Sequence, residues 1–290
     1  MANVKFTGVV LFDFMKTFKS DEDCMEYLSS IKWVNGYLCK KCGNENYCKG
    51  RKPFSRRCTK CKYDESPTAQ TMFFKCKFPL LTAFHLAFKI STKKKGMSTL
   101  ELHREFGIRQ DTCWNFKKKL QSAMKSSFKH PLTGEVHVDE FYIGGSESNK
   151  QGRGAEKKKL VVVAVEKVID GVGRAYAQVI ENASSKELSP FFNAHIATSA
   201  KVITDEWNGY KPLINEYPQM KQVPSKKGKK FPDMHIHIMN VKGWLRGIHH
   251  HCSKEHLQGY LDEYHFRHNR RTNMDSVFHK LIERMVMNAE

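Results

Sequence analysis

The sequence predicts a mixed α/β protein made of a small cysteine-rich module, a helical region and a strand-rich domain. Three observations carry this prediction: two Cys-x-x-Cys motifs in the first quarter of the chain, apolar residues at helical spacing up to about residue 124, and strand-like runs from residue 135 onward. Of the 290 residues, 40% are hydrophobic and 11% are aromatic. The chain can therefore bury substantial cores and is not a disordered basic tail.

The charge balance indicates a polyanionic partner. Lysine and arginine number 49 against 30 acidic residues, which gives a net charge of +19. Neutralised phosphates release their condensed counterions, so such an excess favours nucleic acid, although an ordinary basic protein remains the alternative. We find neither a signal peptide nor a run of ~18 apolar residues and expect a cytoplasmic protein with no membrane partner. Its nine cysteines then indicate metal ligation or free thiols.

The cysteine-rich module contains two knuckles. Cys39 and Cys42 form the first, and Cys58 and Cys61 form the second after 15 intervening residues. This spacing can bring four thiolates around one Zn²⁺ in a tetrahedron. Four incidental buried cysteines are the alternative interpretation. We predict a structural zinc ribbon over residues 36–66.

Basic side chains in the ribbon suggest that it also contacts nucleic acid. They are Arg51, Lys52, Arg56 and Arg57. We expect residues 1–35, which precede the ribbon, to form a helical segment.

A second helical region is predicted over residues 78–127. Within it, Ser98 followed three residues later by Glu101 has the pattern of a capping box and starts a short helix. A turn at Gly107 precedes a longer helix from about residue 109 to residue 124. Two helices joined by a glycine turn are typical of a helix-turn-helix, and a helical hairpin used only for packing is the alternative. The polar residues at the start of the longer helix would face a DNA groove: Arg109, Gln110, Asp111, Asn115 and Lys118.

The strand-rich domain is predicted over residues 131–272, with a final helix over 273–290. The predicted strands span residues 135–143, 160–165, 174–180 and 201–205, and a predicted helix from residue 184 to about 197 lies between the third and fourth strands. Three strands, a helix, a further strand and more helices follow the order of a ribonuclease-H-like α/β fold. Other mixed folds share that coarse order.

Two aspartates in this domain are candidate metal ligands. Asp139 lies inside the first predicted strand and Asp205 lies at the end of the fourth. Alternation sends Asp139 and Glu140 to opposite faces of the sheet, so only one of them can join a shared site. Paired carboxylates are the hard oxygen ligands that metal-assisted phosphoryl transfer needs. Solvated strand-end residues are the alternative.

Several segments resemble bacterial insertion-sequence transposases of the ribonuclease-H-like DDE superfamily, in the branch that carries an N-terminal zinc ribbon. The matching segments are VHVDEFYIGG at 136–145, ITDEWNGY at 203–210, HIHIMNVKGWLRGIHH at 235–250 and SKEHLQGYLDEYHFRHNRR at 253–271. The resemblance extends from Phe14 to about Arg284. It is specific because the ribbon, the helix-turn-helix and the three catalytic motifs occur in the same order.

The resemblance implies that Asp139, Asp205 and Asn240 hold two Mg²⁺ or Mn²⁺ ions. Most relatives have glutamate at the third position, and asparagine is typical of one branch. An uncharged amide oxygen binds a cation more weakly than a carboxylate, so we expect a weakened second metal site. Lys242 is typical of the same branch, and we expect it to contact the phosphate near the scissile bond.

The implied reaction is cleavage at the ends of the element, which frees a 3′-hydroxyl, followed by in-line attack of that hydroxyl on target DNA. We expect a homodimer or larger assembly, because two ends must be held together, and a nucleoid-associated protein in the bacterial cytoplasm. Further expected DNA contacts are Lys226, Lys227 and Arg246. The alternatives are a nuclease on the same fold and a domesticated or inactive protein that only binds DNA.

Overall fold

The structure is a computed structural model that describes residues 5–144, 158–225, 229–249 and 252–287. The chain divides into two compact units, one formed by Met1–Met124 with Arg270–Glu290 and the other by Lys125–Asn269. The first unit contains α1 (Leu11–Thr17), α2 (Asp21–Lys32), β1 (Tyr47–Lys49), β2 (Arg56–Cys58), β3 (Asp64–Glu65), α3 (Leu80–Thr92), α4 (Thr99–Phe106), α5 (Gln110–Met124) and α9 (Val277–Met287).

An aromatic core holds the helices of the first unit together. Phe14 of α1, Phe84 of α3 and Phe278 of α9 are fully buried in it. The hydroxyl of Tyr27 in α2 lies 2.6 Å from Nδ1 of His279, which ties α2 to α9 inside this core. The C-terminal helix therefore packs with the N-terminal helices, and this long-range contact completes the first unit.

The starts of α2 and α4 show how local sequence sets the helix boundaries. At α2, Ser20 and Asp23 form a reciprocal capping box, with the Asp23 N–H donating to Ser20 Oγ at 3.2 Å. At α4, Ser98 Oγ accepts from the Glu101 N–H at 3.1 Å, as predicted. The other half of the predicted box is wrong, because the Glu101 carboxylate instead accepts from the Lys93 ammonium at 2.5 Å.

Helices α4 and α5 pack against each other across a glycine turn. Gly107 ends α4 with a φ of 64°, a left-handed conformation that favours glycine. Helix α5 buries Cys113, Phe116 and Leu120 on one face and leaves its polar N-terminal residues exposed. The exposed polar residues at the start of α5 thus form a polar surface on this helix pair.

The second unit contains β4 (Glu135–Ile143), β5 (Lys159–Val168), β6 (Gly171–Ile180), α6 (Ser185–His195), β7 (Lys201–Thr204), a 3₁₀ helix (Asn208–Asn215), β8 (Lys221–Gln222), α7 (Pro232–Ile248) and α8 (Lys254–His268). Its five strands form one sheet in the order β6-β5-β4-β7-β8. Strands β4, β5 and β6 are antiparallel neighbours, whereas β7 lies parallel to β4 and β8 lies parallel to β7.

Each face of this sheet carries its own hydrophobic core. Val136 and Val138 of β4 face the core that contains Leu188 of α6. Phe141 of β4 faces the opposite core, which contains Ile238 of α7. Because side chains alternate along a strand, Asp139 shares the α7 face with Phe141.

The outer edge of the sheet, β6, is covered by side-chain amides. Gln258 accepts from the Val179 N–H at 2.9 Å and donates to the Ala177 carbonyl at 3.2 Å. Asn269 accepts from the Ala175 N–H at 2.8 Å and donates to the carbonyl of the same residue at 2.9 Å. These bonds give the edge strand the partners that a neighbouring strand would otherwise supply.

Among the described residues, no helix has both the length and the apolar character that a bilayer crossing requires.

Candidate zinc site and candidate active site

The four knuckle cysteines converge in the ribbon. The sulfur atoms of Cys39, Cys42, Cys58 and Cys61 all lie within 4.8 Å of one another. Sγ of Cys39 is 3.5 Å from Sγ of Cys61, and Sγ of Cys42 is 3.6 Å from Sγ of Cys58. Zn–S bonds of about 2.3 Å in a tetrahedron separate the sulfurs by about 3.8 Å. The four ligands therefore fit one Zn²⁺.

N–H groups around the knuckles favour the thiolate form that binds zinc. The Cys61 N–H and the Asn44 side-chain amide each donate to Cys58 Sγ at 3.5 Å. Burial raises the pKa of the Cys58 thiol, but donors that include the Cys61 and Lys60 N–H groups outweigh it and bring this pKa to about 6. Gly43, directly after the first knuckle, has a φ of 69°, a left-handed conformation that glycine adopts without strain.

Arg56 has a structural partner inside the ribbon. Its guanidinium lies 4.5 Å from the ring centroid of Trp33 and 4.2 Å from that of Tyr47. Cation–π contacts with these two rings therefore hold the Arg56 side chain, which the sequence suggested as a nucleic-acid contact. Arg51 and Lys52, from the same predicted group, are exposed.

In the second unit, the two candidate aspartates come together on adjacent strands. The parallel register of β4 and β7 pairs Val136 with Val202 and His137 with Ile203. Continuing that register by two residues places Asp139 opposite Asp205, on the same face of the sheet. Neighbouring strands lie about 4.8 Å apart, so the two carboxylates can share a ligand.

The electrostatics of this pair favour a cation. Burial raises the pKa of Asp139 to about 6, and the neighbouring charge of Asp205 adds to the rise. The Glu140 N–H donates to Asp139 Oδ1 at 2.8 Å, and the charges of His235 and Lys242 act in the opposite direction without cancelling the effect. A buried carboxylate beside a second acid suits a hard divalent cation, because the positive charge of the ion would offset the negative charge of both carboxylates.

The segment after Asp205 fixes its carboxylate. Oδ1 of Asp205 accepts from the Trp207 N–H at 3.1 Å, and the Trp207 indole donates to the Ala183 carbonyl at 2.7 Å. A Cβ on Gly209 would clash with that same carbonyl, so the chain can pass here only without a side chain. These contacts explain why tryptophan and glycine follow the aspartate at this spacing.

Helix α7 brings positive charge to the aspartates. Lys242 is half-buried, with its ammonium 5.4 Å from the ring centroid of Phe141, and its charge acts on Asp139. Burial lowers the pKa of Lys242, and the nearby charges of Arg246 and Lys158 lower it further. Arg246 itself is exposed. A phosphate approaching the aspartates would therefore meet a cluster of cations.

Asn240 lies on a different flank of α7. It is exposed, and at about 100° per residue it stands about 200° around the helix axis from Lys242. The residues that share its flank are Asp233, which forms an ion pair with Lys167 of β5, and His237. The structure thus brings Asp139, Asp205 and Lys242 together, while Asn240 projects from the helix in another direction.

His235 was absent from the sequence-based candidates, although its charge reaches Asp139. The signal that could have found it is its spacing of seven residues from Lys242, which places both side chains on one flank of a helix.

Most of the predicted DNA contacts that the structure describes are exposed. Arg109, Gln110 and Asn115 are exposed at the start of α5. Lys118 is half-buried, with its ammonium 5.3 Å from the ring centroid of Trp114. Lys226 and Lys227 lie outside the described residues.

Changing Asp139 to asparagine is expected to stabilise the protein above pH 6 when no divalent cation is added. The pKa of Asp139 is about 6 in the folded protein against a usual value of 3.8. The contribution of Asp139 to the free energy of unfolding is therefore most favourable below pH 3.8, and it is lost as the pH rises through 6. At pH 7.5 the asparagine variant should gain roughly 3 kcal/mol in the free energy of unfolding, measured with urea on the zinc-loaded chain.

Asp170→Asn, in an exposed turn, is the matched control and should change the free energy of unfolding little. Added Mg²⁺ should raise the free energy of unfolding of the unchanged protein and leave that of Asp139→Asn unaltered. Equal pH profiles for the unchanged protein and Asp139→Asn would contradict the burial of this charge.

Comparison with known proteins finds a matching family model in each of the two units. The profile of the ISXO2-like transposase domain matches residues 131–269, and that of the transposase zinc-ribbon domain matches residues 19–64. No curated protein matches the chain. The two matched segments cover well over half of the sequence and include the cysteine cluster and both aspartates. The chain belongs to the insertion-sequence transposases that carry an N-terminal zinc ribbon.

Proposed function

We propose that this chain binds the ends of an insertion sequence and catalyses metal-dependent DNA strand cleavage and strand transfer. The observation that carries the proposal is the juxtaposition of Asp139 and Asp205 across β4 and β7. Asp205 follows the C-terminal end of β7, where ligands commonly bind in α/β sheets, and Asp139 lies opposite it in the middle of β4. The family supports the reaction class, and the aspartate pair is the site that we propose for this reaction.

The topology of the second unit supports a ribonuclease-H-like catalytic domain. Numbered from the first strand of the unit, its sheet has the order 3-2-1-4-5, in which the second strand is antiparallel to its neighbours and the last two are parallel to the first. Helices α4 and α5, with the turn at Gly107, are likewise proposed as a helix-turn-helix.

In this proposal Asp139 and Asp205 would hold two Mg²⁺ or Mn²⁺ ions, with a third ligand from α7, for which the resemblance gives Asn240. When bound, such a metal pair activates the attacking oxygen and stabilises the leaving oxygen. The protein itself contributes the two carboxylates, the fixed loop behind Asp205, and the charges of Lys242 and Arg246, which attract the scissile phosphate.

DNA recognition is assigned to the first unit and to the basic surface of the second. The polar face of α5 would enter a groove, while Arg51 and Lys52 of the ribbon would contact phosphates. Joining requires two element ends in one assembly, so a homodimer or larger complex on DNA is part of the proposal.

A strand-transfer assay tests this function. The full-length, zinc-loaded chain is mixed with Mg²⁺, target plasmid and short DNA that ends in a free 3′-hydroxyl at the boundary of the element. We expect joined products that depend on the divalent ion and on the terminal sequence. Cleavage without joining would indicate a nuclease, and binding without either reaction would indicate a DNA-binding protein only. Both outcomes would contradict the proposal.

A further inference from the structure

We propose that Trp114 is the apolar contact of α5 with DNA, and that its indole reads the 5-methyl group of a thymine in the major groove. This inference rests on the proposed function, because it assumes that α4 and α5 act as a helix-turn-helix. It adds a specificity-determining residue to the polar contacts that the sequence suggested on this helix.

Trp114 differs from the other tryptophans in its exposure. The structure describes all four of them. Trp33, Trp207 and Trp244 each pack against a hydrophobic core of their own unit. Trp114 is 36% exposed on α5. The first unit therefore presents a large aromatic surface at this position of the helix.

The neighbours of Trp114 along α5 are polar and charged. Gln110 begins the helix, so Trp114 lies in its second turn. Asp111 precedes it by three residues and Lys118 follows it by four, and both spacings place side chains on one flank of a helix. The Lys118 ammonium lies 5.3 Å from the ring centroid of Trp114, and this cation–π contact orients the indole. An aromatic ring and a cation are thus presented together.

The charge of the surrounding region favours a polyanion as the partner. Residues 93–125, which the structure describes throughout, contain nine lysines and arginines against three acidic residues. Two of the three acids form ion pairs with lysines, Glu101 with Lys93 and Glu105 with Lys89. A region with this excess of positive charge attracts phosphates. We therefore assign the exposed indole to DNA and not to a second copy of this basic chain.

The chemistry of the major groove then indicates which group the indole meets. In a helix-turn-helix, residues near the start of the second helix contact base edges in this groove. Those edges carry hydrogen-bond donors and acceptors and one apolar group, the 5-methyl group of thymine. The carbon face of an indole packs favourably on a methyl group, whereas Asn115, the next residue, can bond to a neighbouring base. Trp114 is therefore assigned the thymine.

The test is a thymine-to-uracil scan of the terminal DNA of the element, bound by the zinc-loaded full-length chain. Uracil lacks the 5-methyl group and keeps the base pair. With the unchanged protein, uracil at one position should weaken binding about fourfold, which corresponds to ~0.8 kcal/mol, as expected for one buried methyl-sized group. Trp114→Ala should bind the thymine DNA at least roughly tenfold more weakly and should no longer distinguish uracil from thymine at that position.

Two further variants separate this contact from phosphate binding and from a general effect on the unit. Lys118→Ala should reduce the salt dependence of binding by about one counterion, whereas Trp114→Ala should leave it unchanged, because an indole carries no charge. Phe12→Ala is the matched control. It removes an aromatic side chain that is 74% exposed on α1 of the same unit, and it should alter neither the affinity nor the response to uracil.

Absence of a uracil effect at every position in the unchanged protein would overturn the inference, and this measurement does not depend on how the variants fold. An equal uracil effect in Trp114→Ala would also overturn it, because another side chain would then read the methyl group. So would an altered oligomeric state of Trp114→Ala with unaltered DNA affinity. A failure of the proposed helix-turn-helix looks different, because Asn115→Ala and Lys118→Ala would then leave DNA affinity unchanged as well.

Discussion

Replacement of Asp205 by asparagine is expected to slow strand cleavage by at least roughly 10³-fold while leaving DNA affinity within about twofold. Charge stabilisation by a bound metal contributes several kcal/mol to such a reaction, and each 1.36 kcal/mol is a factor of ten. The variant should fold, because the amide oxygen of asparagine can still accept from the Trp207 N–H, as Asp205 Oδ1 does at 3.1 Å. Single-turnover cleavage and gel-shift titration, on the same DNA and with Mg²⁺, measure the two quantities.

Glu206 provides a matched control for this experiment. It is the next residue, it is exposed, and Glu206→Gln removes the same charge from the same loop. Cleavage by Glu206→Gln should be close to that of the unchanged protein. If Asp205→Asn also cleaved at that rate, Asp205 could not be a ligand of an essential metal ion.

Loss of zinc should have the largest effect on folding. Cys42→Ser, or removal of zinc by a chelator, is expected to unfold the ribbon, because its three strands have only two or three residues each. Its own core is small and centres on Trp33, Tyr37 and the cysteines themselves. Structural zinc supplies on the order of 10–16 kcal/mol in comparable peptides. The measurements are zinc content per chain and the rate of proteolysis within residues 36–66.

Cys48 distinguishes a zinc effect from a general effect of losing a thiol. It lies between the knuckles and is exposed, and its sulfur makes a weak contact with the Arg57 carbonyl at 3.6 Å. Cys48→Ser should therefore retain one zinc per chain and resist proteolysis like the unchanged protein. A protease-resistant, zinc-free Cys42→Ser variant would show that the ribbon folds without its metal.

Features set by short stretches of sequence could be predicted. The bounds of β4 follow from its alternating residues and the glycines after it, and the structure confirms them as Glu135–Ile143. The zinc cluster follows from the knuckle spacing and is confirmed by the convergence of four sulfurs. The resemblance implied that Asp139 and Asp205 share a site, and the register of β7 along β4 is the structural observation that brings them to one face.

Features that depend on distant partners could not be predicted. Helical periodicity indicated that residues 273–290 form a helix, but not that Phe278 would pack against Phe84 in the first unit. Periodicity likewise places Lys242 and Asn240 on different flanks of α7, yet the contact with Phe141 is what decides which flank faces the aspartates. The motif resemblance gave the residues in order along the chain and contained no information on the rotation of this helix.

The covered edge of β6 limits how copies of this protein can associate. Its outward backbone groups at Ala175, Ala177 and Val179 are already bonded to Gln258 and Asn269. A strand from a second copy would have to displace these four hydrogen bonds to pair with β6 along Ala175–Val179. In the proposed assembly on DNA, two protomers would therefore have to pair through side-chain surfaces or through the nucleic acid, and not by joining their sheets along Ala175–Val179 of β6.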